Sequence, residues 1–252
     1  MKQITSLSNP LITLTTSLHH GKYRTKHKLF IAQGLRTCTT LLNIPAYHNP
    51  HAVFVTEQYA AWAHTHNIDA HTYLVSDAIM KKISTTTTPS GIVCVFHLIS
   101  PEIPAVMAPA LALVNSTDPG NMGTLIRTAA ALKAAAVFVI GGTDPWSPKV
   151  VQASAGTGGL IPIIQIEWNL FHAQAKKHNA HIYALTVSGG KNPRTLSFNN
   201  SVLVVGNEAH GLSDTILKNC DELITLSMPG GTESLNAAVA GAIALYVAME
   251  HI

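Results

Sequence analysis

The sequence predicts an α/β protein in which a parallel-sheet domain follows a smaller α/β domain. Apolar, β-rich runs alternate along the chain with stretches of helical propensity, as in parallel sheets that helices cover on both faces. Three prolines within residues 101–110 interrupt this pattern, and because proline ends helices and central strands, the segment predicts a linker. The expected domains are therefore residues 1–100 and residues 111–252.

The individual elements follow from the same alternation. Short apolar runs predict strands at residues 52–55, 91–96, 111–114, 137–140, 182–186, 202–205 and 223–226. Stretches of helical propensity lie at residues 33–42, 77–83 and 124–134. Since the runs of the second domain are continuously apolar, we expect its sheet to be buried on both faces.

The composition predicts a folded protein that works outside the membrane. Hydrophobic residues make up 47% of the 252 and charged residues 12%, which allows a packed core and excludes wholesale disorder. The longest apolar stretch, residues 237–249, is shorter than the roughly 20 residues that span a bilayer. The three cysteines form no CxxC pair, and the first residues lack a signal-peptide pattern. We therefore expect a soluble, cytoplasmic protein.

The charge is distributed unevenly between the two halves. Residues 1–100 contain eight Lys and Arg against three Asp and Glu, whereas residues 101–252 contain eight against ten. A basic half beside a slightly acidic half is typical of a protein whose basic part meets a polyanion. The candidate phosphate contacts are Lys22, Arg24, Lys26, Lys28 and Arg36. An ordinary solvated charged face is the alternative interpretation.

Three loops of the second domain, at residues 115–123, 206–213 and 227–236, are rich in Gly, Asn, Pro or acidic residues. Each follows a predicted strand, where the ligands of parallel α/β sheets gather. Taken singly, each loop is equally explained as a turn with a helix cap, such as Asn121. Arg127 is placed in the early turns of a helix, where the macrodipole disfavours a cation and a functional role would account for it. The alternative is a surface arginine.

Several familiar sites are excluded. Neither the Gly-x-Gly-x-x-Gly nor the Gly-x-x-x-x-Gly-Lys-Ser/Thr fingerprint of nucleotide binding is present, which argues against a Rossmann dehydrogenase and a P-loop NTPase. The glycine cluster at residues 156–159 lacks the full spacing and predicts a turn. The pairs His48/His51 and His64/His66 have no recognisable third ligand, so we expect exposed histidines and no metal.

The three loops closely resemble the motifs of the SpoU (TrmH-like) RNA ribose 2′-O-methyltransferases of the SPOUT superfamily. The first motif is matched by Asn115, Asp118, Pro119, Asn121, Gly123 and Arg127. The second is matched by Gly206, Glu208, Gly211 and Leu212. The third is matched by Leu226, Met228, Gly230, Ser234, Leu235, Asn236 and Ala237. The three motifs occur in the family's order and with its spacing.

The resemblance implies a SPOUT-type parallel sheet with a C-terminal trefoil knot, an exception to the usual unknotted topology, and a homodimer. It also implies that S-adenosylmethionine binds in a bent form inside the knot. The residues that the family would use to hold this cofactor are Gly206, Leu226, Met228, Leu235 and Asn236.

The implied reaction is in-line attack of a ribose 2′-hydroxyl on the methyl group of the cofactor. The family assigns Arg127 to activation of the hydroxyl, and Asn121, Glu208 and Ser234 to shaping the site, sometimes across the dimer interface. A guanidinium ordinarily stays protonated, so a role for Arg127 as base and a role as positioning group both stay open.

The first domain resembles the RNA-binding domain that many of these enzymes carry, through residues 22–34. Four departures from the family are visible. Gln33 replaces the usual Glu, Lys133 replaces the usual Gly after the first-motif helix, and Ser227 and Pro229 replace the commoner Pro and Ala around Met228. The changes around Met228 and at Lys133 remove no group that the family assigns to chemistry.

The expected function is therefore S-adenosylmethionine-dependent methylation of a ribose 2′-hydroxyl in structured RNA, with ribosomal RNA preferred over transfer RNA by analogy. The alternative is a non-catalytic RNA-binding or ribosome-assembly factor that retains the fold. The complete set of motif residues favours the enzyme, since a pure binder does not need all of them.

Overall fold

The computed structural model describes residues 1–104 and 109–250. The expected linker at residues 101–110 therefore lies in part, at positions 105–108, outside the described residues. The contacts divide the chain into two compact units. Unit 1 comprises Met1–Ile99 and Trp146–Gly159, and unit 2 comprises Ser100–Pro145 and Leu160–Ile252.

The elements are numbered along the chain, and short 3-10 turns are left unnumbered. The strands are β1 (Lys2–Ile4), β2 (Leu29–Gln33), β3 (Ala52–Val55), β4 (Thr72–Val75), β5 (Ile92–His97), β6 (Ala110–Val114), β7 (Val137–Ile140), β8 (Ile163–Gln165), β9 (His181–Thr186), β10 (Ser201–Val205) and β11 (Glu222–Thr225). The helices are α1 (Pro10–Ser17), α2 (Gly21–His27), α3 (Leu35–Leu42), α4 (Ala60–Thr65), α5 (Asp77–Ile83), α6 (Pro119–Ala131), α7 (Pro148–Ala153), α8 (Trp168–Lys177), α9 (Asp214–Asn219) and α10 (Ala237–Glu250).

Unit 1 is built on a mixed five-stranded sheet in the order β1-β4-β3-β5-β2. Strands β1, β4 and β3 are parallel, whereas β5 is antiparallel to both β3 and β2. Helices α1 and α5 pack against each other over a core that includes Ile12, Phe54 and Ile79, all of them buried.

The segment 146–159 belongs to unit 1, although the sequence analysis assigned it to the second domain. Trp146 packs on Phe30, with ring centroids 4.7 Å apart, and α7 packs against β2. The glycine cluster at residues 156–159 forms a turn, as predicted. It also permits a close approach, since a Cβ on Gly156 would lie 2.7 Å from the carbonyl oxygen of Thr37.

Unit 2 contains a six-stranded sheet in the order β11-β9-β10-β6-β7-β8. Every pairing in it is parallel, which confirms the predicted parallel sheet. Phe138 and Phe171 are fully buried on one face, where α8 packs. Helices α6 and α10 pack together on the other face, and a Cβ on Gly241 of α10 would lie 2.8 Å from Leu125 of α6.

Two properties concern the described residues as a whole. None of their helices is long and apolar enough to cross a membrane. Among the same residues, no group of three or more His, Cys, Asp or Glu side chains is arranged to hold a metal ion.

Candidate active site

A cleft of about 400 Å³ opens in unit 2 at the carboxyl ends of β9, β10 and β11. This is the edge at which parallel sheets of this class bind ligands. Of the residues predicted from the motifs, the cleft is lined by Gly206, Glu208, Leu226, Met228, Ser234 and Leu235. The second and third motif loops, which are separate in sequence, therefore form one site.

Gly206 lies where no side chain fits. A Cβ at this position would lie 2.5 Å from the carbonyl carbon of Gly211. The loop closes on itself there, because the backbones of Asn207 and Gly211 exchange two hydrogen bonds of 3.1 and 2.9 Å. The glycine therefore permits this close approach of the loop to its own backbone, beside the cleft that Gly206 lines.

Glu208 connects the second motif loop to the first. Its Oε1 accepts hydrogen bonds from the Ser116 hydroxyl at 2.7 Å and from Asn121 Nδ2 at 3.3 Å. Its Oε2 accepts from the backbone N–H and the hydroxyl of Thr117, both at 3.2 Å. Burial by itself raises the pKa of this carboxyl group, but the hydrogen bonds, led by that from Ser116, outweigh it and lower the pKa to about 2. Glu208 is therefore a fixed anion at neutral pH.

Asn121 joins this network to the third motif loop. The cap of α6 is Asp118, whose Oδ1 accepts from the backbone N–H of Asn121 at 2.7 Å, so the Asn121 side chain is not needed as a cap. Its Nδ2 donates to Glu208, while its Oδ1 accepts from Asn236 Nδ2 at 3.0 Å. Asn236 in turn caps α10 by accepting from the backbone N–H of Ala238 at 2.9 Å. One chain of hydrogen bonds thus links all three loops.

Two residues that the sequence analysis did not single out complete this network. Asn207 donates from Nδ2 to the carbonyl oxygen of Asn115 at 2.8 Å, and its Oδ1 accepts from the backbone N–H of Ala209 at 2.9 Å. The buried Ser116 provides the short bond to Glu208. The signal for Asn207 is its position between two matched motif residues, whereas the partner of Ser116 lies 92 residues away and has no local signature.

Arg127 stands apart from the network. It is the ninth of the thirteen residues of α6, so the expectation that it lies in the early turns is wrong, and the macrodipole argument no longer applies. The helix begins at Pro119 because Asp118-Pro119 is a strong cap sequence. The Arg127 side chain is exposed, and no hydrogen bond or ion pair is found for it within residues 1–104 and 109–250.

The cleft fits the expected cofactor. Its volume lies within the roughly 300–1,000 Å³ of small-molecule sites. Leu226, Met228 and Leu235 give its lining apolar surface, and Gly206 adds backbone to it, a combination that would suit an adenosine. The carboxylate of Glu208 gives the lining a negative charge, which suits a sulfonium cation.

The candidate RNA contacts of unit 1 divide into two groups. Lys22, Lys26, Lys28 and Arg36 are exposed. Arg24 is buried, and its guanidinium donates to the carbonyl oxygens of Leu18 at 2.7 Å and His19 at 3.0 Å. Its selection as a phosphate contact is therefore wrong, because the segment is a helix, so that alternate residues do not share a face.

The structure shows the surroundings of two of these departures, Gln33 and Lys133. The Gln33 amide donates to the Thr85 hydroxyl at 2.8 Å, and its oxygen accepts from the backbone N–H of Thr85 at 3.1 Å. Gln33 therefore anchors a loop within unit 1. Lys133 follows α6 with φ of +56°, in the left-handed region where glycine is favoured.

Comparison with known proteins assigns both units. Residues 108–246 match the model of the SpoU rRNA methylase family, and residues 9–94 match that of the MRM3-like substrate binding domain. The expected fold class, a SPOUT-type parallel sheet preceded by a small α/β domain, agrees with a crystal structure of an AdoMet-bound rRNA methyltransferase from Sinorhizobium meliloti. That structure is 26% identical with a TM-score of 0.87, over 100% of this chain and 98% of the other.

Two relatives support the same assignment. The 23S rRNA (guanosine(2553)-2′-O)-methyltransferase RlmP of Bacillus subtilis is 30% identical over 98% of each chain. The 23S rRNA (guanosine-2′-O-)-methyltransferase RlmB of Acinetobacter baylyi is 32% identical over 55% of this chain and 58% of its own. The resemblance predicted from three loops is confirmed: the chain belongs to the SpoU rRNA methylase family, whose members are RNA methyltransferases that use S-adenosylmethionine.

Proposed function

We propose that this protein methylates a ribose 2′-hydroxyl in ribosomal RNA. The observation that carries the proposal is the hydrogen-bonded network through Glu208 and Asn121, which holds all three motif loops around one cleft. A protein that only bound RNA would not need a cofactor-sized cleft with these motif residues gathered around it. The relative from Bacillus subtilis is named for the same reaction class, on a guanosine of 23S rRNA.

The cofactor site of this proposal is the cleft of unit 2. Gly206, Leu226 and Leu235 would hold the adenosine, with Met228 beside them and Asn236 fixing the end of the third loop. Bound S-adenosylmethionine supplies an electrophilic methyl group. The chain contributes orientation, since a hydroxyl group held close to its target gains much of its rate from position alone.

The proposed roles of the polar residues follow from their contacts. Glu208 stays ionised and fixes the first motif loop. Asn121 connects Glu208 to the third loop through its hydrogen bonds, and Ser234 lines the cleft. Arg127 would orient the RNA phosphate and the ribose hydroxyl. Because a guanidinium keeps its proton, positioning is the role that we assign to it.

The proposed assembly is a homodimer. Val239, Ile243 and Tyr246 lie at helical spacing on α10 and are 46%, 42% and 53% exposed, so they form an apolar stripe on unit 2. Such a stripe is typical of a surface that another protein covers. Arg127 lies on α6, which packs against α10. Burial of the stripe between two copies would bring Arg127 of one copy toward the cleft of the other.

Ribosomal RNA is the proposed substrate because residues 9–94 match a substrate-binding domain and a relative aligned over 98% of this chain is named for 23S rRNA. Such a substrate would place the enzyme in the cytoplasm.

The test is transfer of a labelled methyl group from S-adenosylmethionine to unmodified ribosomal or transfer RNA transcripts. We expect label in ribosomal RNA with the wild type and Arg194→Ala, whose arginine is also exposed in unit 2, and a loss of about 100-fold or more with Arg127→Ala. Label in transfer RNA alone would correct the substrate. Intact binding of cofactor and RNA without any transfer, on partly assembled ribosomal particles as well, would favour the assembly-factor alternative.

A further inference from the structure

We propose that one end of the unit 1 sheet binds the phosphates of the substrate RNA and takes up protons when it does so. This surface, the histidine edge, consists of Lys2, His51, His71, His97 and Lys28. The inference rests on the proposed function, because it takes RNA as the ligand, and it names the RNA-binding surface of unit 1.

The strand register brings these five residues to the same end of the sheet. Val53 of β3 pairs with Thr72 of β4, so His51 and His71, which precede these two strands, are neighbours. Strand β5 runs the opposite way and ends at His97. The rings of His51 and His97 lie 5.5 Å apart, centroid to centroid, and are nearly perpendicular.

The two outer strands extend the row on both sides. His97 pairs with Leu29 of β2, which follows Lys28, and the carbonyl oxygen of Lys28 accepts from the backbone N–H of Leu98 at 2.8 Å. On the other side, Lys2 of β1 pairs with Tyr73 of β4. At this end of the sheet, each of the five strands therefore has one basic residue either in its last or first position or directly before it.

Carboxylates are scarce in unit 1, and one of its three lies at the end of the sheet that carries the histidine edge. Residues 1–99 contain only Glu57, Asp69 and Asp77 as acids. Glu57 and Asp77 follow the carboxyl ends of β3 and β4, at the opposite end of the sheet. Asp69 lies on the turn before β4, and its Oδ2 is hydrogen-bonded to Nδ1 of His64 at 2.8 Å.

The titratable groups of the histidine edge repel one another when they are charged. Burial, and then the proximity of His97 and His71, lower the pKa of His51 below its ordinary value. With no anion present, the central imidazole is therefore kept neutral near pH 7. A phosphate lying against the three rings would offset this repulsion and favour the imidazolium form, which donates from both nitrogens.

This chemistry matches an RNA backbone better than the other common role of clustered histidines. No group of three metal-ligating side chains occurs in the part of the chain that the structure describes, so the rings are not arranged as a metal site. A row of cations across five strands fits the repeated phosphates of a polyanion. The exposed lysines Lys2 and Lys28 at its two ends provide phosphate contacts that do not depend on the histidines.

The experiment measures binding of a fluorescent RNA hairpin by anisotropy at about pH 6 and about pH 8, at constant ionic strength. We expect the wild type to bind about tenfold more tightly at the lower pH, because protonated histidines add phosphate contacts. The triple variant His51→Gln, His71→Gln and His97→Gln should bind like the wild type at the higher pH and gain less than about twofold at the lower.

A matched triple variant of unit 2 serves as control. His172→Gln, His178→Gln and His181→Gln change three histidines that do not line the cleft, and this protein should keep the whole pH-dependent gain. His51 is half-buried, so its replacement could disturb the fold. The double variant His71→Gln, His97→Gln changes only exposed rings and should also lose most of the gain in affinity at the lower pH. Lys28→Asn, at a left-handed position that asparagine tolerates, should weaken binding equally at both pH values.

Two results would overturn the proposal: a wild type whose affinity does not change with pH, or a double variant, folded by circular dichroism, that retains the full gain. Methyl transfer to ribosomal RNA is measured at about pH 8 on the same preparations. Transfer by the wild type together with either of these results leaves the proposed function standing and removes only the histidine edge. Absence of transfer by the wild type counts against the proposed function itself.

Discussion

At the scale of single residues, Glu208 links the loops of the candidate site through its charge. Its pKa is lowered to about 2, from the ordinary value of 4.5, so the ionised carboxylate is favoured by folding. A group of this kind contributes stability that is fully present above about pH 4.5 and is lost as the pH falls toward about 2.

The first prediction follows from this loss of stability at low pH. The free energy of unfolding of the wild type should fall between about pH 5 and about pH 3 more steeply than that of Glu208→Gln, which has no proton to gain. Denaturant titrations at the two pH values measure the difference. Glu167→Gln, at an exposed carboxylate that makes no helix-cap bond, should behave like the wild type. If the free energy of unfolding fell equally with pH in Glu208→Gln and the wild type, the stabilising role of the Glu208 hydrogen bonds would be contradicted.

Asn207 carries the second prediction at this scale. Asn207→Ala removes the bond to the carbonyl oxygen of Asn115 and the bond from the backbone N–H of Ala209, each worth about 1 kcal/mol. Because these bonds shape the second motif loop, S-adenosylmethionine should bind about tenfold more weakly, as calorimetry can measure. Asn199→Ala, at an exposed asparagine of unit 2, is the control. Unchanged cofactor affinity in Asn207→Ala would remove Asn207 from the site.

At the scale of elements, the residue type and the backbone conformation disagree just after the end of α6. Lys133 has φ of +56°, a conformation that costs a residue with a Cβ about 1 kcal/mol relative to glycine. Lys133→Gly should therefore raise the free energy of unfolding of unit 2 by about 0.5–1 kcal/mol. Lys218→Gly, inside α9, should lower it by about the same amount. Denaturant unfolding measures both, and destabilisation by Lys133→Gly would show that the lysine side chain has another role.

The elements also show what the sequence could predict. The strands at residues 111–114 and 137–140 agree with β6 and β7 to within one residue, because short continuous apolar runs mark buried strands. Strands β1, β2, β4 and β8 were missed; three of them have only three or four residues, which gives little periodicity to recognise. The mixed directions in unit 1 were not predicted, because pairing direction is a tertiary property.

The same limit applies to the candidate site. Gly206, Glu208 and Ser234 were found because their motifs are local in sequence. The bond between Ser116 and Glu208 and the meeting of His51 with His97 join distant parts of the chain, so no local pattern reveals them. Arg24 was wrongly assigned to RNA binding because alternate basic residues share a face only in a strand, and this segment is a helix.

At the scale of the whole molecule, the proposed homodimer makes a prediction that a monomer cannot satisfy. If Arg127 acts at the cleft of the partner copy, Arg127→Ala and Glu208→Ala chains should complement each other when they are mixed and reassembled. Random pairing would place both intact residues at one site of each mixed dimer, which gives about a quarter of the wild-type activity. Methyl-transfer assays on the mixture measure this recovery.

The control for complementation uses the apolar stripe on α10. Ile243→Glu with Tyr246→Glu places charges on two exposed residues of the stripe, so both parent variants carrying this change should stay monomeric by light scattering and show no recovery. Absence of recovery in mixtures that form mixed dimers would place Arg127 at the cleft of its own chain.

Identification of the methylated nucleoside tests whether the protein methylates a ribose 2′-hydroxyl of ribosomal RNA. Unmodified ribosomal RNA is incubated with the enzyme and S-adenosylmethionine carrying a labelled methyl group, digested to nucleosides and separated by chromatography with mass spectrometry. We predict label in a single 2′-O-methylnucleoside that is absent when Arg127→Ala replaces the wild type. Label on a base, or no label in RNA while the cofactor binds, would contradict the proposed methylation of a ribose 2′-hydroxyl.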